Sequence, residues 1–199
     1  MILLVPAGAY FAYRSYERTY GKLPYFNTST TGAVSENSAP VIPDFSFTNQ
    51  DGNLLTLADT KDKVTVFNFF FATCKTVCPN MLRNETRLAN AFATDDRVKL
   101  LSITVDPEND TREILEAYSR EYRKLSSQWN FLTGNKPDIY RFARKGLNVN
   151  ATDGDGGPED FIHSEFLILV DHEGKVRGYY NGSEENRVDD LIADIRKLL

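Results

Sequence analysis

The chain contains two cysteines, Cys74 and Cys78, and both lie in the string FFFATCKTVCPNM. Two thiols at this spacing can close a disulfide or hold a soft metal ion between them as thiolates. A β-branched and aromatic run ends just before Cys74, and Pro79 directly follows Cys78. Proline suits the first turn of a helix, where its missing N–H would be unpaired in any case. Cys78 is therefore expected at or beside a helix N-cap, with Cys74 in the loop before it. There the unpaired helix amides, the positive end of the helix dipole and the Lys75 ammonium would all favour thiolate. The bland alternative is two small buried hydrophobes that happen to be neighbours. Placement of both thiols at one strand-to-helix junction argues against it.

Two histidines are present. His172 lies in the polar turn VDHEGK and reads as solvated surface. His163, in EDFIHSEFLILVD, opens an apolar strand. With Cys74 and Cys78 it would complete a three-coordinate donor set of two sulfurs and one nitrogen. Soft sulfurs favour Cu(I), and the imidazole keeps Cu(II) accessible. Zinc fits less well, because structural zinc sites are closed by four ligands. A structural role is the alternative for His163. Asp106 and Asp110 follow the strand expected beside the cysteine-bearing one. A carboxylate on that edge could tune a thiol or meet a partner, but turn and helix-cap chemistry is the preferred reading of both. The acidic stretch DGDGGPED invites a calcium loop. Counting from Asp153, however, Pro158 and Ser164 stand where an EF-hand needs glycine and glutamate. It reads instead as a movable flap leading to His163, with charge that could face a basic patch on a partner.

These residues need a scaffold, and the composition supplies one. Hydrophobic residues make up 41% of the 199, and charged residues 26%, which is ample for one domain with tail to spare. With 23 Lys+Arg against 28 Asp+Glu the formal charge is −5, so no nucleic-acid partner is expected. The first thirteen residues are apolar but too few for a bilayer span of about 20. Residues 1–22 are read as the end of an N-terminal membrane anchor, the alternative being a native amphipathic or strand-like start. Residues 23–42, rich in Ser, Thr, Asn, Gly and Pro, are read as a flexible linker, and 43–199 as the folded domain.

Within the domain, strand and helix signals alternate. FSFTNQDGNLLTL forms two short runs around Asp51-Gly52, which predicts a hairpin. The run 64–71 is continuous and apolar, as in a strand buried on both faces. Helical spacing follows over 79–92, with Met81, Leu82, Leu88, Ala89 and Phe92 inward. Residues 98–105 are a second buried strand. Asp110 or Thr111 can cap a helix running to about Tyr122. A third helix is expected over 137–145, with Gly146 just past its end. Strands over 161–170 and 175–180 and a helix over 186–198 complete the pattern. The order predicts an α/β, thioredoxin-like fold: a central mixed, mainly parallel sheet, helices on both faces and an N-terminal β-hairpin. Active sites in such sheets lie at the carboxyl edge of the parallel strands, where Cys74 falls. In that arrangement the segment entering the last apolar strand passes the cysteine loop. Redox thioredoxins carry a cis-proline there, whereas Phe-Ile-His-Ser-Glu has none.

At these residues the sequence resembles the Sco/SenC family of copper-binding, thioredoxin-like proteins of cytochrome c oxidase assembly. The motifs are CxxxCP at Cys74–Pro79, ITVDPENDT ending at Thr111, the distal His163, and WNFLTGNKPDI, similar to the family's LTG segment. The resemblance runs from about Pro43 to Leu199. It implies Cys74, Cys78 and His163 as copper ligands. It also implies an N-terminal anchor in the inner membrane, with the domain facing the periplasm or the mitochondrial intermembrane space. The implied task is delivery of copper to, or reduction of the cysteines of, the binuclear copper site of oxidase subunit II, with copper supplied by a donor protein. Lys75 departs from the proline common after the first cysteine, and Thr73 from the preceding histidine. Neither removes a ligand, though both can shift redox potential and partner choice.

Two functions from different classes follow. The first is a metallochaperone that passes Cu(I) on by ligand exchange, which suits an unsaturated centre. The second is an enzyme, a thiol-disulfide oxidoreductase in which Cys74 attacks and Cys78 resolves. Redox sensing through the same pair is a further reading. A peroxiredoxin is disfavoured because Phe71 stands where a TxxC setting needs threonine.

Overall fold

The computed structural model describes residue 9 and residues 21–27, 33–74, 78–149 and 164–199, with Cys78 and Pro79 described by backbone alone. Among these residues the strands are β1 (Tyr25–Phe26), β2 (Ala33–Val34), β3 (Ser46–Asn49), β4 (Leu54–Thr56), β5 (Val64–Phe70), β6 (Val98–Thr104), β7 (Trp129–Thr133), β8 (Phe166–Val170) and β9 (Val176–Asn181). The α-helices are α1 (Cys78–Ala91), α2 (Arg112–Ser119), α3 (Lys136–Arg141) and α4 (Glu185–Leu198).

Every residue of β5 is buried, as its unbroken apolar run demands. Side-chain alternation divides it between two cores. Phe67 and Phe69 join Ile103, Leu132, Ile139 and Phe142 on one face of the sheet. Val66 and Phe70 join Met81, Leu88, Phe131 and Leu191 on the other. The seven-stranded sheet has the order β4-β3-β7-β6-β5-β8-β9. It is mixed and thioredoxin-like, as expected, but not mainly parallel: β5 to β6 and β6 to β7 pair parallel at its centre, and the other four pairings are antiparallel, because the hairpins β3–β4 and β8–β9 supply both edges. The Asp51-Gly52 hairpin is present as β3–β4, and Gly52 takes the left-handed φ of +85° that the turn requires.

Several boundaries differ from the sequence reading. Helix α2 ends at Ser119, short of Tyr122, and the chain continues through hydrogen-bonded turns in which the Ser119 carbonyl accepts both the Tyr122 and Arg123 N–H groups. Thr111 occupies its N-cap without a side-chain capping bond. Helix α3, capped by Asn135, runs on into a π-helical turn, Phe142–Gly146, rather than stopping before Gly146. Glycine is needed there for close approach, since a Cβ would meet Pro43 Cγ at 2.9 Å.

Residues 23–42, read as a linker from composition, are packed where they are described. Leu23, Ala39 and Ile42 are buried, and Tyr25–Phe26 pairs with Ala33–Val34. What holds this segment lies far along the chain. The Arg177 guanidinium donates to the carbonyls of Leu23 at 2.7 Å and Pro24 at 3.0 Å, and lies 3.8 Å from the Tyr25 ring centroid. Most of residues 1–22 lies outside the described residues. Among those described, no helix is long and apolar enough to cross a membrane.

Candidate thiol and metal site

β5 delivers Cys74 to the carboxyl edge of the parallel strands. Its ladder with β6 runs from Val64↔Val98 to Phe70↔Thr104, and the Val105 N–H to Phe70 carbonyl bond at 2.8 Å extends it. The chain then turns, with Cys74 N–H on the Phe71 carbonyl at 3.2 Å. Cys74 is half-buried and lines a cleft of about 400 Å³ with Leu82, Arg83, Thr86, Tyr118 and Tyr122. Cys78 is the first residue of α1, and Pro79 falls in its first turn as the sequence predicts. Residues 75–77, Lys75 among them, lie outside the described residues, as does the Cys78 side chain.

The loop before Cys74 is fastened by Asp110, which is 1% exposed. Its Oδ2 accepts the Ala72 N–H at 3.0 Å and the Thr104 hydroxyl at 2.5 Å. Burial raises the Asp110 carboxyl above its ordinary range, opposed by these two hydrogen bonds. Capping chemistry therefore does not describe Asp110. Its carboxylate binds the end of β6 to the cysteine loop. Asp106 does follow the turn reading, with both carboxylate oxygens accepting from the Asn109 amide, at 2.9 and 3.1 Å.

His163 and the acidic stretch 153–160 lie outside the described residues. The chain is described again from Ser164. Because β8 runs antiparallel to β5, with Thr65↔Val170 and Phe67↔Ile168, it enters at the end where β5 leads to Cys74. The Glu165 carbonyl accepts the Gly182 N–H at 2.7 Å, and the Gly182 carbonyl accepts the Asn84 amide from α1 at 2.8 Å. The helix that begins at Cys78 is thus tied through Gly182 to the entry of β8. His172 is exposed in the β8–β9 turn, as its polar setting predicts. Among the described residues no three His, Cys, Asp or Glu side chains form a metal-binding group.

Sequence reasoning missed Asn84 and Glu85, which sit in the polar string RNETR yet are buried. The signal was available. Met81, Leu88 and Phe92 define an apolar stripe, and helical spacing places residue 85 on it.

A family model described as SCO1/SenC matches residues 33–199. A SCO1/SenC family lipoprotein from Bacillus anthracis is 34% identical, with a TM-score of 0.70 over 79% of this chain and 94% of that one. The structure identifying a disulfide switch in BsSco, a member of the Sco family of cytochrome c oxidase assembly proteins, is 33% identical. Its TM-score is 0.68, covering 83% of this chain and 96% of that one. Bradyrhizobium japonicum ScoI with copper bound is 25% identical, with a TM-score of 0.64 over 80% of this chain and 100% of that one.

Proposed function

The chain belongs to the SCO1/SenC family, and on that premise we propose that it is a copper-carrying protein of cytochrome c oxidase assembly, with Cys74, Cys78 and His163 as the ligands of its cargo. The observation that carries this reading is the position of Cys74, half-buried on a cleft at the strand-to-helix junction, with Cys78 opening the helix and β8 entering at the same edge. Two cysteine thiolates are soft, anionic donors matched to Cu(I), and an imidazole extends the match to Cu(II). An unsaturated three-ligand centre suits handover, because an incoming thiolate can add before a resident one leaves. The acceptor would be the binuclear copper site of oxidase subunit II, and a donor protein would supply the metal. We place the domain outside the cytoplasm, in the cell envelope or the mitochondrial intermembrane space, tethered to the inner membrane through its N-terminal segment. The naming of the Bacillus anthracis relative as a lipoprotein supports membrane association.

A second reading is supported by the disulfide switch identified in BsSco. Cys74, lining the open cleft, would attack a partner disulfide, and Cys78 would resolve the mixed disulfide. The partner gains two electrons and two protons while Cys74 and Cys78 become a disulfide. The test is to load the reduced chain with Cu(I) and Cu(II) separately, beside His163→Ala and Cys74→Ser. One tight equivalent, with a sulfur-to-copper charge-transfer band for Cu(II) and loss in both variants, is the expected result. No copper retention alongside a reducible Cys74–Cys78 disulfide would overturn the copper reading and leave the oxidoreductase. His163→Ala should lose metal affinity while keeping dithiol exchange.

A further inference from the structure

Glu85 is 3% exposed on α1, and its Oε1 has no hydrogen-bond partner among the described residues. It faces a cavity with about 10 Å³ open to a water's centre, enough for a single water, between α1 and the sheet. Two other polar residues line that cavity. Asn68 on β5 is buried and makes no side-chain hydrogen bond among the described residues. Ser102 on β6 accepts from Trp129 Nε1 at 2.9 Å, which leaves its own proton to be placed. Phe70, Met81 and Tyr118 complete the wall. Leu82 and Tyr118 also line the Cys74 cleft, so the two cavities share a partition.

Three buried polar groups converging on a void of this size need a partner, since each left unpaired carries a desolvation cost. We propose that Glu85, Asn68 and Ser102 hold one buried water between the helix that starts at Cys78 and the strand that leads to Cys74, with Glu85 present as the neutral acid. The acid and the serine hydroxyl donate to the water, and the water donates to the Asn68 carbonyl oxygen. Among the described residues no cationic side chain lines the cavity. Arg87, two positions along α1, is engaged by Glu185 and Asp189 of α4. Tyr118 lines the same cavity, and Tyr122 interacts electrostatically with Glu85. Tyr122 is pushed up by burial and then by the charges of Glu85 and Glu121. Desolvation pushes the Glu85 carboxyl up to about 8.

The consequence is a dependence on pH of the two arms that flank the cysteine loop. A carboxyl raised in the folded state binds its proton more tightly there than in the unfolded chain. Stability therefore falls as pH rises through the window from the ordinary glutamate value to about 8, and levels above it. The test is denaturant unfolding of the wild type and Glu85→Gln at a series of pH values. The ratio of their unfolding constants should rise about tenfold per pH unit within that window and then level off. A ratio independent of pH would overturn the proposal. Should the glutamine variant not fold, the side-chain carboxyl ¹³C resonance of Glu85 in the native chain decides. Titration near 8 supports the neutral acid, and titration in the ordinary glutamate range overturns it. A crystal structure with density bridging Glu85, Asn68 and Ser102 would support the water, and an empty cavity would remove it.

Discussion

The Asp110 carboxylate accepts the backbone N–H of Ala72 at 3.0 Å, across 38 residues of chain and two residues from Cys74. A second hydrogen bond to the same oxygen, from the Thr104 hydroxyl, anchors that carboxylate to the end of the neighbouring strand. The cysteine loop is therefore positioned from the side by a buried acceptor as well as from its two ends. Replacing Asp110 by alanine strands the Ala72 N–H and the Thr104 hydroxyl, so the domain should lose about 1–3 kcal/mol. Asp110→Asn keeps an acceptor oxygen and should lose less. Denaturant midpoints measure both, and equal, negligible losses would show that the bond to Ala72 contributes nothing.

Arg177 and Asp171 form a buried ion pair at 3.0 Å, with side chains 8% and 2% exposed. Removing the cation leaves Asp171 buried, although it retains the Glu173 and Lys175 N–H groups of the turn. Arg177→Ala should therefore cost up to about 3–5 kcal/mol. It should also release residues 21–27, because the carbonyls of Leu23 and Pro24 lose their donor. Limited proteolysis distinguishes the two effects: cleavage in 21–27 should accelerate more than global unfolding does. Lysine at this position has too few planar donors to replace the guanidinium.

Those two relationships mark where sequence reasoning reaches its limit. The buried strand β5, the Asp-Gly hairpin and the helix opening at Cys78-Pro79 were legible, because each depends on local periodicity or local backbone chemistry. The docking of residues 23–26 was not, because its donor, Arg177, lies more than a hundred residues away and composition alone suggests a solvated tail. Asp110 looked like a cap because capping is the common use of aspartate before a helix. Only the parallel pairing of β5 with β6 shows that Ala72 is within its reach. Glu85 could have been found from its spacing to Met81 and Leu88, but not the cavity it faces.

Asn84 connects the helix carrying Cys78 to the entry of β8 through the Gly182 carbonyl. If the proposed copper site uses both elements, this link holds the thiolates and the imidazole in register. Asn84→Ala should lower copper affinity by about 10–100-fold, the range seen when groups that orient metal ligands are removed. The rate of dithiol exchange, which needs only the cysteine loop, should change little. Gly182→Ala attacks the same joint by crowding, since its Cβ would stand 3.1 Å from Leu167 Cγ and 3.2 Å from the Glu165 carbonyl oxygen. Unchanged copper affinity in both variants would show that the joint does not govern the metal site.

Copper binding and disulfide formation draw on the same two sulfurs. A thiolate offers the metal a negative charge and a soft lone pair, and the two thiols give up two electrons and two protons when they form a disulfide. Chain oxidised with a mild thiol oxidant should therefore take up less than about a tenth of an equivalent of Cu(I), against one equivalent for the reduced chain, since the soft thiolate donors are gone. Treatment with a dithiol reductant followed by its removal should restore the full equivalent. Copper quantified against protein after gel filtration gives the stoichiometry, and thiol titration of the same fractions confirms the redox state. His163→Ala should weaken retention by the reduced chain without altering its oxidation. A full equivalent held by the oxidised chain would place the metal on other ligands, and with it would fall the assignment of Cys74 and Cys78.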